Sequence, residues 1–321
     1  MSFSDRVREA EIRIRPHARE TPLLWSPTLS ELAGTRVFLK LENLQHTGSF
    51  KLRGALNKML SLGEADRARG VVTASTGNHG AATAYAGRLT GVTPTVYVPE
   101  GAAPSKVERI RALGGRVEVF GTDSSETEQY ARVVAERTGQ VFLSPYNDWD
   151  VMAGQGTIGR ELERQCPDLG VVIVAVGGGG LIGGIAGYLK AVRPAVSIVG
   201  CSPRNSAVMA ASVQAGTILD LPSEPTLSDG TAGGVEPGTI TFEYCRDLVD
   251  GYDLVEEAAI EAGMRLAFDA ERLTVEGAAG VAIASAVSRP GRWAGRDVVV
   301  VLCGGNVGVD RWCGLMTAPR R

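Results

Sequence analysis

VVIVAVGGGGLIGGIAGYL, residues 171–189, decides the fold class of this chain. The stretch opens with an apolar run typical of a strand covered on both faces, and it closes with a helical pattern. Four consecutive glycines stand between them: Gly177, Gly178, Gly179 and Gly180. A structural turn needs one or two glycines, and each further one costs ~1 kcal/mol of conformational freedom. The run therefore favours a backbone cradle for phosphate at a helix start.

A turn required by packing alone is the main alternative interpretation of the glycine run. A nucleotide site is disfavoured, because the run does not match G-x-x-x-x-G-K-[ST]. A dinucleotide fingerprint also fits badly, since no acidic residue closes the next strand, VSIVGCS at 196–202.

The rest of the chain repeats this alternation of strand and helix. Short β-branched runs typical of strands occupy residues 36–42, 70–75, 93–99, 115–120, 140–144, 171–177, 196–202 and 297–304. Amphipathic stretches such as 105–114 and 127–139 lie between them. The pattern predicts an α/β fold with one or two open, mostly parallel sheets. Ligands of such sheets usually lie beyond the carboxyl ends of the strands, where the glycine clusters fall.

Composition excludes several classes of protein. The chain has 321 residues, 44% of them hydrophobic, which is enough for about two domains. A net charge of -3 gives no footprint for nucleic acid or an anionic membrane. No apolar run approaches the ~20 residues of a membrane helix, and the charged N-terminus lacks a signal-peptide core. Five scattered cysteines without a C-x-x-C pair favour the cytoplasm and argue against a cysteine zinc site.

Two more strand ends carry candidate ligand-binding residues. After the strand at 70–75 the chain continues through Ser75, Thr76, Gly77, Asn78 and His79 into a helix. Backbone N–H groups there suit a carboxylate or phosphate, although Ser75, Thr76 and Asn78 are equally typical of helix capping.

CGGN, residues 303–306, follows the last predicted strand. Cys303 is either a small buried hydrophobe or a weak polar contact to a ligand ring.

Lys51 is the candidate nucleophile. It stands between Phe50 and Leu52 in a stretch that predicts a buried turn opening a helix. A lysine amine forms a Schiff base with an aldehyde. A lysine, a phosphate cradle and the lack of a metal or nucleotide motif together indicate pyridoxal 5'-phosphate.

The chain resembles the serine/threonine dehydratase branch of the fold type II, tryptophan-synthase-like, pyridoxal phosphate enzymes. The matching segments keep the family's order and span nearly the whole chain. They are TGSFKLRGA (47–55), STGNHG (75–80), AGQGTIGREL (153–162), VGGGGLIGG (176–184), VEGAAGV (275–281) and CGGN (303–306).

The resemblance implies two open, mostly parallel twisted sheets flanked by helices, with the cofactor in a cleft between two domains. The large domain would comprise residues 1–60 and 145–321, and the small domain residues 61–144. The resemblance also implies a homodimer that acts on a small-molecule amino acid.

Cofactor contacts follow from the resemblance as well. Lys51 would form the Schiff base, Phe50 would pack against the pyridine ring, and Asn78 would bind the ring hydroxyl. Gly177–Gly180 with Leu181 would hold the phosphate.

The resemblance gives three further roles. The loop from Ser75 to His79 would receive the substrate carboxylate. Cys303 would face the pyridine nitrogen as a neutral partner, which favours prompt loss of a β-leaving group. Glu276 would lie near the ring, or equally make a structural hydrogen bond.

The implied reaction is dehydration of a β-hydroxy-α-amino acid to a 2-oxo acid and ammonia, with Lys51 as the α-proton base. A racemase or a β-replacement synthase on the same fold are the alternatives. A non-enzymatic binding protein would leave Lys51 unexplained.

Departures from the family pattern refine this expectation. Ser202 and Val208 replace the two carboxylates of the family's divalent-cation site, so we expect no metal there. Thr76 replaces the serine that acts on the opposite face in racemases, which makes racemisation less favoured than elimination.

The narrower group is also inferred from resemblance. Because the chain ends soon after CGGNVG (303–308), we expect a short, catabolic-type enzyme without an isoleucine-sensing regulatory domain. The segments SPRNSAV (202–208) and DGTAGGVEPGTITFE (229–243) are similar to dehydratases of hydroxyectoine use.

Overall fold

The computed structural model describes residues 1–317, which contain ten strands in two sheets. The strands are β1 Leu23–Trp25, β2 Val37–Lys40, β3 Val71–Ala74, β4 Thr95–Val98, β5 Arg116–Val119, β6 Val141–Phe142, β7 Leu169–Ala175, β8 Ser197–Pro203, β9 Gly251–Val255 and β10 Asp297–Val301.

Fourteen α-helices of the described chain surround these strands. They are α1 Phe3–Ile14, α2 Pro27–Ala33, α3 Lys51–Ser61, α4 Glu64–Arg69, α5 Asn78–Thr90, α6 Pro104–Ala112, α7 Ser124–Thr138, α8 Trp149–Gln165, α9 Gly180–Val192, α10 Val208–Ala215, α11 Ile240–Leu248, α12 Glu257–Glu271, α13 Gly277–Val287 and α14 Val309–Thr317. Within residues 1–317, no helix is long and apolar enough to span a bilayer.

The six-stranded sheet has the order β1-β2-β10-β7-β8-β9, and the four-stranded sheet has the order β5-β4-β3-β6. Among the described residues, every pairing of neighbouring strands is parallel except that of β1 with β2. Parallel strands need crossover helices, which cover both faces of the sheet and account for the apolar runs of β7 and β10. The predicted α/β class with mostly parallel sheets is confirmed.

All eight predicted strands are present, although β6 is only two residues long. The sequence pattern does not predict β1 or β9. LLW in β1 is too short to show alternation, and GYDLV in β9 mixes glycine and aspartate into the strand.

The two sheets separate along the chain. Strands of the four-stranded sheet fall within residues 71–142, and those of the six-stranded sheet fall before residue 41 and after residue 168. This division agrees with the predicted small domain at 61–144, whose boundaries stay a prediction. The last four residues of the predicted large domain, 318–321, lie outside the described residues.

A buried ion cluster anchors helix α3. The Arg53 guanidinium donates to both oxygens of Glu42, at 2.8 Å each, and to both oxygens of Glu161, at 2.7 and 2.8 Å. Lys40 Nζ adds a bond of 2.5 Å to Glu161. Because the fork of the guanidinium fits both carboxylates, the first turn of α3 is held against α8 and the end of β2.

Candidate active site

Lys51 is the first residue of α3, as the sequence predicts for a turn that opens a helix. Its Nζ donates to the carbonyl of Pro145 at 2.9 Å and lies 5.2 Å from the centroid of the Phe50 ring. Although Lys51 is partly exposed as a residue, its amine is enclosed by protein. This desolvation lowers the pKa of Lys51 to about 8, so the amine loses its proton more easily than an ordinary lysine does.

Backbone pairing ties the lysine segment to the end of β10. The Phe50 N–H donates to the Cys303 carbonyl at 3.0 Å, and Ser49 forms an antiparallel bridge with Gly304. The Gly305 N–H donates to the carbonyl of Gly48 at 2.9 Å. The candidate nucleophile and the candidate ring partner are therefore held together by the main chain.

Glu276 lies at the centre of the polar contacts. Its two oxygens accept bonds of 3.0 Å from Asn78 Nδ2, and one accepts from the Asn306 N–H at 3.3 Å. The Cys303 sulfur is 4.0 Å from Glu276 Oε1. Desolvation by burial raises the pKa of Glu276 to about 7, and burial also raises the pKa of the Cys303 thiol well above its usual range. Cys303 is therefore neutral.

The glycine run forms a tight loop under Tyr146. A Cβ on Gly178 would lie 2.4 Å from the Tyr146 ring, and Gly179 has a φ of +84°. Packing therefore requires some of these glycines, as the alternative interpretation holds. The α9 start is nevertheless uncapped by any side chain of the described residues. Its first N–H groups have no partner within the helix and are available to an anion.

The start of α5 has the same character. Gly77 is the N-cap, and within the described chain no side chain caps the first turn of α5, so Thr76 and Asn78 do not act as the predicted caps. The Ser75 hydroxyl instead accepts from the Gly77 N–H at 3.1 Å, and Thr76 beside it is partly exposed.

His79 is buried in the first turn of α5. Its Nε2 lies 3.0 Å from the Leu143 carbonyl, and its Nδ1 has no partner among residues 1–317. Burial, with the Lys51 charge nearby, lowers the pKa of His79 to about 3. The ring is therefore neutral, with Nε2–H as the donor.

These groups fit pyridoxal phosphate. An enclosed lysine amine supplies the attachment point, and the uncapped α9 start, which includes the buried Leu181, suits a phosphate. The Lys51 amine touches Pro145, whose neighbour Tyr146 packs on the glycine loop, so the two features share one cleft.

Ser202 and Val208, which we expect to replace the carboxylates of a cation site, make other contacts. The Ser202 hydroxyl donates to the Val176 carbonyl at 3.1 Å, and Val208 is buried at the start of α10. In the part of the chain that is described, no group of three or more His, Cys, Asp or Glu residues is placed to hold a metal.

Sequence reasoning missed several residues of the site. Asn306 lies in CGGN and Thr47 in TGSFKLRGA. The contacts of the Asn306 side chain and of the Thr47 carbonyl, however, depend on the fold. Tyr146 lies in SPYN, whose aromatic residue could have been proposed as a lid on the glycines. Nothing in the local pattern singles out Arg109 on α6, which donates to both Asn306 and Thr47.

Comparison with known proteins agrees with this geometry. The family model described as pyridoxal-phosphate dependent enzyme matches residues 14–304. L-threonine ammonia-lyase of Thermotoga maritima is 39% identical over 95% of this chain and 75% of its own length. Serine racemase of Arabidopsis thaliana is 36% identical over 94% of this chain and 92% of its own.

The fold comparison gives the same result. The solved structure of maize serine racemase superimposes with a TM-score of 0.92 at 33% identity, covering 98% of this chain and 97% of that one. The family model's match, residues 14–304, spans the strands of both sheets and the segment from Lys51 to Cys303. This chain therefore belongs to the family of pyridoxal-phosphate dependent enzymes, and it is a lyase with pyridoxal phosphate as its cofactor.

Proposed function

We propose that this chain dehydrates a β-hydroxy-α-amino acid of the threonine or serine type and releases a 2-oxo acid and ammonia. The observation that carries the proposal is the enclosed Lys51 amine, whose pKa burial lowers to about 8, beside a neutral Cys303. Relatives named L-threonine ammonia-lyase at 39% and 41% identity support the reaction.

Pyridoxal phosphate, when bound, supplies an electron sink for negative charge at the substrate α-carbon. Lys51 would hold the cofactor aldehyde, Phe50 would pack on the ring, and Asn78 would bind the ring hydroxyl. The N–H groups of Gly177–Gly180 and Leu181 would hold the phosphate.

The chain's own residues account for substrate binding and proton transfer. The N–H groups at the start of α5, in the loop 75–79, would receive the substrate carboxylate. Lys51 Nζ, as the neutral amine, would take the α-proton as the bond from the β-carbon to oxygen breaks. The leaving hydroxyl would take up one proton in exchange for the one given to Lys51, so that one water is lost overall. Water leaves, and a second water later releases ammonia, so the net products are a 2-oxo acid and ammonia.

The neutral Cys303 thiol is the reason for proposing elimination and not racemisation. A carboxylate beside the pyridine nitrogen would keep it protonated and deepen the electron sink. A neutral thiol would not, so negative charge at the substrate α-carbon would be stabilised less, which favours prompt loss of the β-leaving group. Thr76, with a methyl group beside its hydroxyl, favours racemisation less than a serine would.

The deciding experiment measures 2-oxo acid and ammonia with L-serine, L-threonine, 3-hydroxyaspartate, phenylserine and hydroxyectoine-derived amino acids. We expect turnover on at least one hydroxy amino acid, with little of the opposite enantiomer formed. Lys51→Ala is the control, which should bind cofactor through the glycine loop yet show no turnover. Racemisation faster than elimination, or product only from O-acetylserine and sulfide, would replace this proposal with one of its rivals.

We also infer a homodimer. Strand β1 lies at one edge of the six-stranded sheet, and its Trp25 is 53% exposed, which supports a covered surface there. Closed dimers are the commonest soluble oligomers. Sedimentation should give about twice the 33.7 kDa chain mass, and a monomer at working concentration would contradict the inference.

A further inference from the structure

We infer that Arg109 is a positioning residue that sets the orientation of the Asn78 amide through Asn306. It does so from α6, which belongs to the layer of the four-stranded sheet. Its two partners belong to loops on the other side of the cleft. The inference rests on the cofactor-binding role proposed above for Asn78.

The first step is a closed ring of three hydrogen bonds. Arg109 Nη1 donates to Asn306 Oδ1 at 2.7 Å, and Arg109 Nη2 donates to the Thr47 carbonyl at 2.9 Å. Asn306 Nδ2 donates to the same carbonyl at 2.9 Å. A guanidinium only donates and a carbonyl only accepts, so just one orientation of the Asn306 amide satisfies both neighbours.

The second step passes this orientation to Asn78. The fixed Asn306 Nδ2 also donates to Asn78 Oδ1 at 2.6 Å. Since the carbonyl oxygen of Asn78 is thereby engaged, its NH₂ group must face the other way. There it meets Glu276, whose two oxygens each lie 3.0 Å from Asn78 Nδ2.

The reversed arrangement shows what Arg109 prevents. With the Asn306 amide turned over, its Oδ1 would face the carbonyl oxygens of both Thr47 and Asn78. Asn78 would then turn as well and direct its own oxygen at Glu276. Such a side chain would offer an acceptor, not donors, to a cofactor oxygen in the cleft.

A neighbouring cation on the same helix supplies a matched control. Lys106 lies one turn before Arg109 and also reaches across the cleft, where its Nζ is 3.6 Å from Asp229. Within residues 1–317, no hydrogen bond joins Lys106 to Thr47, Asn78 or Asn306. Its removal therefore costs a cross-cleft ion pair but leaves the amide orientation intact.

The test is a double-mutant cycle on cofactor binding. Apoprotein is titrated with pyridoxal phosphate, and the dissociation constant and visible absorption spectrum are recorded for Arg109→Met, Lys106→Met, Asn78→Ala and the pair Asn78→Ala/Arg109→Met. Arg109→Met should weaken binding about tenfold, since one misdirected hydrogen bond is worth ~1.4 kcal/mol, and should shift the absorption band. Lys106→Met should match wild type in both measurements.

The pair decides whether Arg109 acts through Asn78. In the Asn78→Ala background, Arg109→Met should cause no further loss of affinity and no further spectral shift. Losses that multiply in the pair would overturn the inference while leaving the role of Asn78 in place. Unchanged affinity and spectrum in Asn78→Ala alone would overturn that role and the inference with it.

A conservative variant guards against a folding defect. Arg109→Lys keeps the positive charge but cannot bridge two acceptors with a planar fork, so it should restore only part of the affinity. The unfolding temperatures of the Arg109→Met and Lys106→Met apoproteins should be similar, because both residues are exposed and such surface contacts contribute little to stability. Full restoration of affinity by Arg109→Lys would show that charge alone matters, against the inference.

Discussion

The side-chain amide of Asn78 donates to both carboxyl oxygens of Glu276, at 3.0 Å each, across 198 positions of sequence. Burial raises the pKa of Glu276 to about 7, and the bond from Asn78 offsets only part of that effect. The carboxyl therefore keeps its proton in the folded protein at pH values where an unfolded chain would lose it.

Glu276→Gln should stabilise the apoprotein relative to wild type as pH rises. With a raised folded-state pKa, the carboxyl contributes stability that is fully present below about 4.5 and is lost as pH rises to about 7. Glutamine does not titrate, so the difference in unfolding free energy should grow by roughly 3 kcal/mol across this window. Urea unfolding of both apoproteins at several pH values measures this difference in unfolding free energy. A difference that does not change with pH would contradict the prediction.

Variants of Cys303 should separate tuning of the cofactor from packing. Cys303→Ser keeps a small neutral group and should retain most elimination activity. In the proposed role, Cys303→Asp would place a carboxylate beside the pyridine nitrogen, which should slow elimination and raise racemisation or transamination relative to it.

The measurement for Cys303 is the ratio of racemisation to elimination in folded, cofactor-loaded protein. If the thiol only packs the end of β10, Cys303→Asp should mainly destabilise the fold by burying a charge. If the ratio of racemisation to elimination is unchanged in cofactor-loaded Cys303→Asp protein, Cys303 has no role in the chemistry.

Turnover should depend on the protonation state of Lys51 and rise as its amine loses a proton. Because desolvation lowers the pKa of Lys51 from 10.5 to about 8, kcat should rise with pH through the region near 8 and then level off. A pH–rate profile on the best substrate of the panel tests this. A rise that continues to the region of an ordinary lysine, near 10.5, would mean that the amine is not desolvated in the working enzyme.

Chelation should leave the enzyme active. We expect Ser202 and Val208 to stand where the family's cation site has carboxylates, and a hard divalent ion needs oxygen ligands with charge. Dialysis against EDTA should change kcat/KM by less than about twofold, a difference of under ~0.4 kcal/mol. A large loss that Mg²⁺ restores would disprove the prediction.

Arg53→Met should destabilise the fold strongly. Its removal leaves the buried carboxylate of Glu42 without its paired cation, while Glu161 keeps its contact with Lys40. Breaking such a buried pair typically costs ~3–5 kcal/mol. The exposed Arg204, paired with Glu256, provides the control, and Arg204→Met should cost under ~1 kcal/mol. Chemical denaturation of both variants gives the comparison, and similar small losses would show that the cluster is not needed for stability.

The sequence pattern predicted the fold well because strands buried on both faces of a parallel sheet consist of consecutive apolar residues, as in β7 and β10. It also placed Lys51 at a helix start and the glycine run after β7. It could not predict which side chains meet across the cleft. The contacts of Arg109 with Asn306, or of Tyr146 with Gly178, depend on how two sheets are set against each other, and no local period encodes that.

The bridge between Ser49 and Gly304 has a consequence for synthesis of the protein. The segment before Lys51 gains its backbone partners only when β10 has been made, and β2 likewise pairs with β10 through Val298 and Val37. Contacts so distant in sequence form late and slowly. On the ribosome, the cofactor cleft is therefore completed only after nearly the whole chain has emerged, and a nascent chain that stops before β10 presents its lysine without the wall that encloses it.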